Sequence, residues 1–166
     1  MKTLLIVRHA KSSWDNTDVG DIHRPLNDRG KRDAPAMAQR LLKTGTDIDR
    51  FISSPARRAL QTAEFFIRAF DRDAKQIRLL PDLYHASPAT FSQVIAALDD
   101  ADDTVALFSH NPGITAFVNS LTEIRVDNMP TCSIFAVRSS AGHWSDFLAS
   151  GPQFWFFDFP KSGGHH

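Results

Sequence analysis

The chain has a single cysteine among its 166 residues, so no disulfide can form within it and a reducing compartment is the natural setting. Long apolar runs are missing too. The N-terminus reads Met1-Lys2-Thr3-Leu4-Leu5-Ile6-Val7 before Arg8, and four apolar residues are far too few for a signal-peptide core or a bilayer span. A cytoplasmic protein without membrane association is expected. Neither sign of charge is in excess, with 19 basic and 19 acidic residues. That balance gives no support for binding nucleic acid, so affinity for an anion must come from a local cluster of arginines. The seven histidines show no His-x-x-x-His or His-x-His spacing, which speaks against a metal site, and no cofactor is expected. No repeat, low-complexity tract or linker interrupts the chain. It reads as one domain over 1–162 with a short flexible tail, Gly163-Gly164-His165-His166, whose histidines are set aside.

Three times an apolar run leads through a polar turn into a helical period. Leu4-Leu5-Ile6-Val7 ends at Arg8-His9, Phe51-Ile52 ends at Ser53-Ser54-Pro55, and Val105-Ala106-Leu107-Phe108 ends at Ser109-His110-Asn111-Pro112-Gly113. Unbroken apolar runs suit strands buried on both faces, and hence an α/β fold with a mostly parallel sheet covered by helices. Ser54-Pro55 and Asn111-Pro112 each read as an N-cap followed by proline at the first helical position. Leu60, Ala63, Phe66 and Ile67 should then face the sheet. Further helices are predicted over roughly 28–44, where Pro35 should kink the helix or shift its start, and around 91–98. Ser133–Val137 and Phe154–Phe159 read as strands that pair antiparallel at one end of the sheet. Cys132 falls in Thr131-Cys132-Ser133-Ile134-Phe135, which reads as strand, so its expected role is that of a small buried hydrophobe.

Ligands of open α/β sheets bind beyond the carboxyl ends of the strands. The three turns lie at that edge, and the two proline-marked helices start there with free N–H groups. If the three strands are neighbours, His9, His110, Arg8 and an arginine from Arg57-Arg58 converge on one pocket suited to phosphate. A neutral imidazole such as His9 can attack phosphorus and carry the phosphoryl group. Taken singly, an Arg-His pair is an ordinary strand end, Ser-Pro is a cap and His-Asn-Pro-Gly is a turn. Their joint placement at three strand ends is the informative feature.

Leu5-Ile6-Val7-Arg8-His9-Ala10 resembles the Arg-His-Gly/Ala signature of the histidine phosphatase (phosphoglycerate mutase-like) superfamily. Ser53-Ser54-Pro55-Ala56-Arg57-Arg58-Ala59 resembles its second block, whose arginine precedes alanine and so selects Arg58. Ser109-His110-Asn111-Pro112-Gly113 resembles the third block, and Arg24-Pro25-Leu26-Asn27-Asp28-Arg29-Gly30 the entry into the first helix. The resemblance implies a three-layer α/β/α sandwich of the phosphoglycerate mutase-like type. It also implies a phosphatase acting through a phosphohistidine intermediate on His9, with Arg8, Arg58 and His110 around it. The Arg8-to-Ser12 opening and the third block are most similar to the SixA-type branch, which implies phosphohistidine on a phosphorylated protein, or a small phosphate ester, as substrate.

The family's general acid lies in a Leu-x-Glu block, to which Leu80-Pro81-Asp82 is the nearest equivalent. Asp82 is the candidate acid, with a capping role or His85 as alternatives. Lys11, Ser12, Asp15 and Asn111 adjoin the matched blocks and are candidate substrate contacts, although Lys11 reads equally as a solvated loop lysine. Trp14 is followed by Asp15 where the mutases have asparagine. That carboxylate would repel a carboxylated, phosphate-rich substrate and makes a mutase-like phosphotransferase less expected. A phosphate-binding module with weak turnover is the other alternative. No large insertion could build a cap, so an open, shallow pocket on a monomer is expected, rimmed by the loop 10–27.

Overall fold

Leu4, Leu5, Ile6 and Val7 are all fully buried, because strand β1 (Lys2–Arg8) is covered on both faces. Leu4 and Ile6 pack into one apolar cluster with Phe91, Ile95, Phe117 and Trp144, while Leu5 and Val7 pack into a second with Met37, Leu41, Phe66 and Ile67. The period of two in strand side chains thus divides one run between two cores. The computed structural model describes residues 1–15 and 18–161, so the expected tail at 163–166 lies outside the described residues.

Among those residues the strands are β1, β2 (Arg50–Ser53), β3 (Arg78–Leu79), β4 (Thr104–Ser109), β5 (Ile134–Ser139) and β6 (Gln153–Asp158). They form one sheet in the order β3-β2-β4-β1-β5-β6. The block from β3 to β1 is parallel; β5 and β6 complete it antiparallel, as the last third of the sequence predicts. Helices α1 (Asp28–Lys43) and α2 (Arg57–Ala69) supply the cluster on one face, and α3 (Pro88–Ala96) and α4 (Gly113–Leu121) that on the other. The result is the expected three-layer α/β/α sandwich. No helix is long and apolar enough to cross a membrane among the described residues.

Several local details differ from the sequence reading. Helix α1 runs through Pro35 from an unshifted start, where the Asn27 side chain accepts the Gly30 N–H at 2.9 Å. Proline costs it one backbone hydrogen bond, from the carbonyl of Lys31, which is exposed and open to water. Helix α2 starts at Arg57 with Ala56 as its N-cap, later than Ser54-Pro55 suggests. The Ser54 N–H is still in sheet pairing with the Phe108 carbonyl, so the chain must turn before it can coil. Leu60 is only partly buried, and Ala59 and Thr62 turn inward instead. Helix α4 likewise starts at Gly113 rather than at Asn111-Pro112. Cys132 is buried as expected but stands in a turn at φ +61°, ahead of β5.

Gly30 is required by a close approach. A Cβ there would lie 2.2 Å from the Lys11 carbonyl oxygen, which also accepts the Asn27 N–H. This pins the loop after β1 onto the start of α1. Gly30→Ala is expected to cost about 2 kcal/mol of folding stability by displacing that backbone, measured as a lowered midpoint in chemical denaturation with unchanged m-value.

Candidate active site

Parallel register brings the three polar turns level. β1 and β4 pair Arg8 with Ser109, β2 and β4 pair Ser53 with Phe108, and the chain leaves the sheet just beyond each pair. The His9 N–H still reaches the Ser109 carbonyl at 3.2 Å. On the other side the Cys132 N–H lies 3.1 Å from the Arg8 carbonyl and 3.0 Å from that of His9. His9 is therefore gripped by its backbone from both neighbouring strands.

The His9 Nδ1 lies 2.7 Å from the Ala10 carbonyl. A carbonyl only accepts, so Nδ1 carries the hydrogen and Nε2 keeps a free lone pair. The Ala10 N–H is itself held by Thr62 Oγ1 at 2.9 Å, which ties this geometry to α2. His9 is 6% exposed, and its pKa is pushed down to about 3 by burial, with Arg8, Arg58 and Arg24 adding repulsion against the Ala10 hydrogen bond. It is held neutral, as a nucleophilic imidazole would have to be.

The His110 ring centre lies 5.2 Å from that of His9. Its Nε2 is 2.7 Å from Ser54 Oγ, which also accepts the Ala56 N–H. Among the described residues nothing else takes the Ser54 hydroxyl proton, so Ser54 donates to Nε2 and the ring hydrogen sits on Nδ1. That Nδ1 is buried and without a partner. Burial, then His9 and Arg58, push His110 down to about 3 as well. Arg8 anchors one arm on the Met129 carbonyl at 2.8 Å and leaves Nε buried and unpaired. Burial and the neighbouring Arg58 guanidinium lower its pKa. Arg58 is buried whereas Arg57 is exposed, so geometry makes the same choice between them as the motif. Arg58 Nε is also buried and unpaired.

Other expected residues are placed differently. Asp82 is exposed on a short turn of 3-10 helix and makes no hydrogen bond to either histidine or to Arg8 or Arg58. Pro81 starts that turn and sends the short side chain outward. His85 comes closer: its ring lies 4.0 Å from that of Tyr84, tilted by 41°, and both line a cavity of about 340 Å³ beside His110. Ser12 is buried and accepts from Arg24 Nη1 at 2.9 Å, so it holds a side chain rather than facing a substrate. Asn111 spends its amide on Asn128 and the Met129 carbonyl, and its oxygen accepts from Thr115. It braces the loop that holds Arg8. Asp15 lines a separate cavity of about 190 Å³ with His23 and Arg57, and Lys11 is half-buried.

Sequence reasoning missed Asp21, Arg24 and Tyr84. Arg58 donates from Nη1 to the Asp21 carbonyl at 2.7 Å and from Nη2 to Asp21 Oδ2 at 3.0 Å. The Tyr84 hydroxyl donates to the same oxygen at 2.6 Å, and Arg24 Nε to Oδ1 at 3.1 Å. These bonds draw the 20–24 segment across Arg58. No signal in the sequence couples Asp21 to residues 37 and 63 positions away. Among the described residues no group of three or more His, Cys, Asp and Glu side chains is arranged to hold a metal ion.

The two depressed histidines make stability depend on pH. Both take up protons near 6.5 when unfolded but only near 3 when folded. Between those values the unfolded chain binds more protons, so stability is fully present above pH 6.5 and is lost as pH falls. The slope is up to about 1.4 kcal/mol per pH unit for each histidine. Denaturant titrations at pH 7, 6 and 5 should show this slope, flattened in the His9→Gln/His110→Gln double variant. An unaltered slope would contradict the neutral buried pair.

A family model for the histidine phosphatase superfamily (branch 1) matches residues 4–87. An uncharacterised protein of Mycobacterium tuberculosis is 33% identical over 151 residues, 84% of this chain and 90% of its own length. A 2,3-bisphosphoglycerate-dependent phosphoglycerate mutase of Treponema pallidum is 33% identical over 72 residues, 42% of this chain and 29% of that protein. Among solved structures, the protein histidine phosphatase SixA complexed with tungstate superposes with a TM-score of 0.79 at 24% identity, covering 95% of this chain and 97% of that one. A phosphoserine phosphatase of Entamoeba histolytica in complex with phosphoserine gives 0.67 at 18% identity, covering 97% and 98%. With its motifs brought to one sheet edge and its model match spanning half the chain, the protein belongs to the histidine phosphatase superfamily.

Proposed function

We propose that the protein is a phosphatase that hydrolyses phosphohistidine, or another phosphomonoester, through a phosphoryl group carried on His9. One observation carries the reading. Arg8 Nε, Arg58 Nε and His110 Nδ1 are buried hydrogen-bond donors without partners, and all belong to residues gathered around the free Nε2 of His9. Buried donors are rarely left unpaired without a ligand to pair them. A phosphoryl group has oxygens for these donors and a phosphorus for the nucleophile.

In the first step His9 Nε2 forms a bond to phosphorus as the bond to the leaving nitrogen or oxygen breaks. The leaving group takes its proton from solvent. Water then attacks the phosphohistidine, restoring neutral His9 and releasing orthophosphate. His110 Nδ1–H and the two arginines would hold the charge that spreads over the equatorial oxygens. The exposure of Asp82, the candidate acid, supports cleavage of a phosphoramidate over an alkyl ester, because nitrogen is the more easily protonated leaving atom. The cavity beside His110 gives the leaving group room, against Tyr84, His85, Pro88, Pro112 and Ala116. It has no lysine or arginine to hold a substrate carboxylate, which argues against a mutase. The fold shared with SixA supports a phosphorylated protein as substrate.

Turnover of a phosphohistidine protein, compared with phosphoserine, phosphotyrosine and sugar phosphates, is expected to be fastest for the first and insensitive to chelator. His9→Ala should abolish it together with an acid-labile phosphoenzyme in quenched reactions. Arg58→Ala should lower kcat/KM by about 10² to 10³. Full activity in His9→Ala would overturn the mechanism, and tight phosphate binding without hydrolysis of any substrate would leave a binding module.

A further inference from the structure

The Arg58 fork is already engaged. Both of its terminal nitrogens are taken by Asp21, one by the carbonyl and one by the carboxylate, so the clamp carries an anion before any substrate arrives. We propose that Asp21 is a resident competitor for the phosphoryl group: it occupies Arg58 in the free enzyme, yields it to substrate phosphate, and returns to speed the release of orthophosphate. This rests on the phosphatase reading above.

Four features separate Asp21 from a simple tether. The Arg58 side chain is 7% exposed whereas that of Asp21 is 46% exposed, so the carboxylate is the half of the pair that can leave. It stands on a three-residue turn of 3-10 helix, Asp21–His23, which buries no residue and has no side-chain cap, so a local swing disturbs little packing. Its partner Arg24 Nε is a donor that could equally meet a phosphate oxygen, whereas the Tyr84 hydroxyl serves the carboxylate. Arg24 is fixed independently by Ser12 and lies 3.5 Å over the Trp14 ring, so it stays in place when Asp21 moves.

Charge explains why such a competitor is useful. Arg8, Arg58 and Arg24 all raise the cost of protonating His9, and Arg58 does the same to Arg8. Three guanidiniums without an anion would hold the product tightly, and a monovalent carboxylate lowers that affinity. A phosphoryl dianion still displaces it, whereas a monoanion gains little by doing so. Asp21 thus sets both the choice of a dianion and the ease of its escape.

The test measures competitive inhibition by orthophosphate in wild type, Asp21→Asn and Tyr84→Phe. Asparagine keeps an acceptor for Arg58 and removes the charge. Orthophosphate Ki is expected to fall roughly tenfold in Asp21→Asn, with KM falling alongside and kcat not rising. Tyr84→Phe, which removes one bond holding the carboxylate in place, should shift Ki in the same direction by about threefold. A tether that only orients Arg58 predicts the reverse, a rise in Ki and KM, and either that rise or an unchanged Ki overturns the proposal. Wild type separates the two levels. If it shows His9-dependent turnover and phosphate inhibition but Asp21→Asn binds no tighter, only the competitor role fails. If wild type shows neither, the phosphatase reading fails and this inference falls with it.

Discussion

The pairing of β1 with β4 is the constraint on which the rest of the molecule hangs. It places the backbone of His9 against Ser109 in the same register that sets Arg8 beside it. Because β2 joins the other edge of β4, the Ser54 turn arrives at the same level, within reach of His110. Two histidines from distant parts of the chain thus face each other with no flexible segment between sheet and ring. The antiparallel partner then closes the grip through the Cys132 turn. Precision here comes from backbone hydrogen bonds, which resist displacement better than any single side-chain contact.

That rigidity supports an electrostatic arrangement which would be unfavourable elsewhere. A histidine buried among three guanidiniums is kept neutral, and the hydrogen bond from Nδ1 to Ala10 decides which nitrogen is free. Burial costs folding stability as pH falls and leaves an imidazole that stays unprotonated in the ordinary range. The unpaired donors on Arg8, Arg58 and His110 are a similar compromise. They cost the folded protein stability, and in the proposed function a phosphoryl group satisfies them.

The loop after β1 shows how one element serves both ends. Gly30 and Asn27 pin its first residues to α1, and Ser12 and Arg24 brace its middle. The 3-10 turn Asp21–His23 between these braces brings Asp21 across Arg58. Meanwhile residues beyond 120, which match no motif, hold Arg8 through the Met129 carbonyl and Asn111 through Met129 and Asn128. Ser12 and Asn111 look like ligand contacts in sequence because they adjoin the motif residues, yet their polar atoms are spent on this bracing.

Local signals in the sequence place an α/β sheet and the strand ends that carry Arg8, His9 and His110, because unbroken apolar runs demand burial on both faces and polar turns end them. The choice of Arg58 over Arg57 came from the resemblance of its block to the family motif. Tertiary structure alone decided how those residues work. Which nitrogen of His9 is free depends on a carbonyl orientation held by Thr62 from α2. Which carboxylate meets Arg58 depends on how the 20–24 turn packs against α2 and Tyr84, and that carboxylate is Asp21. Local pattern records which face of a strand or helix is apolar, but not where two polar side chains far apart in the chain will meet.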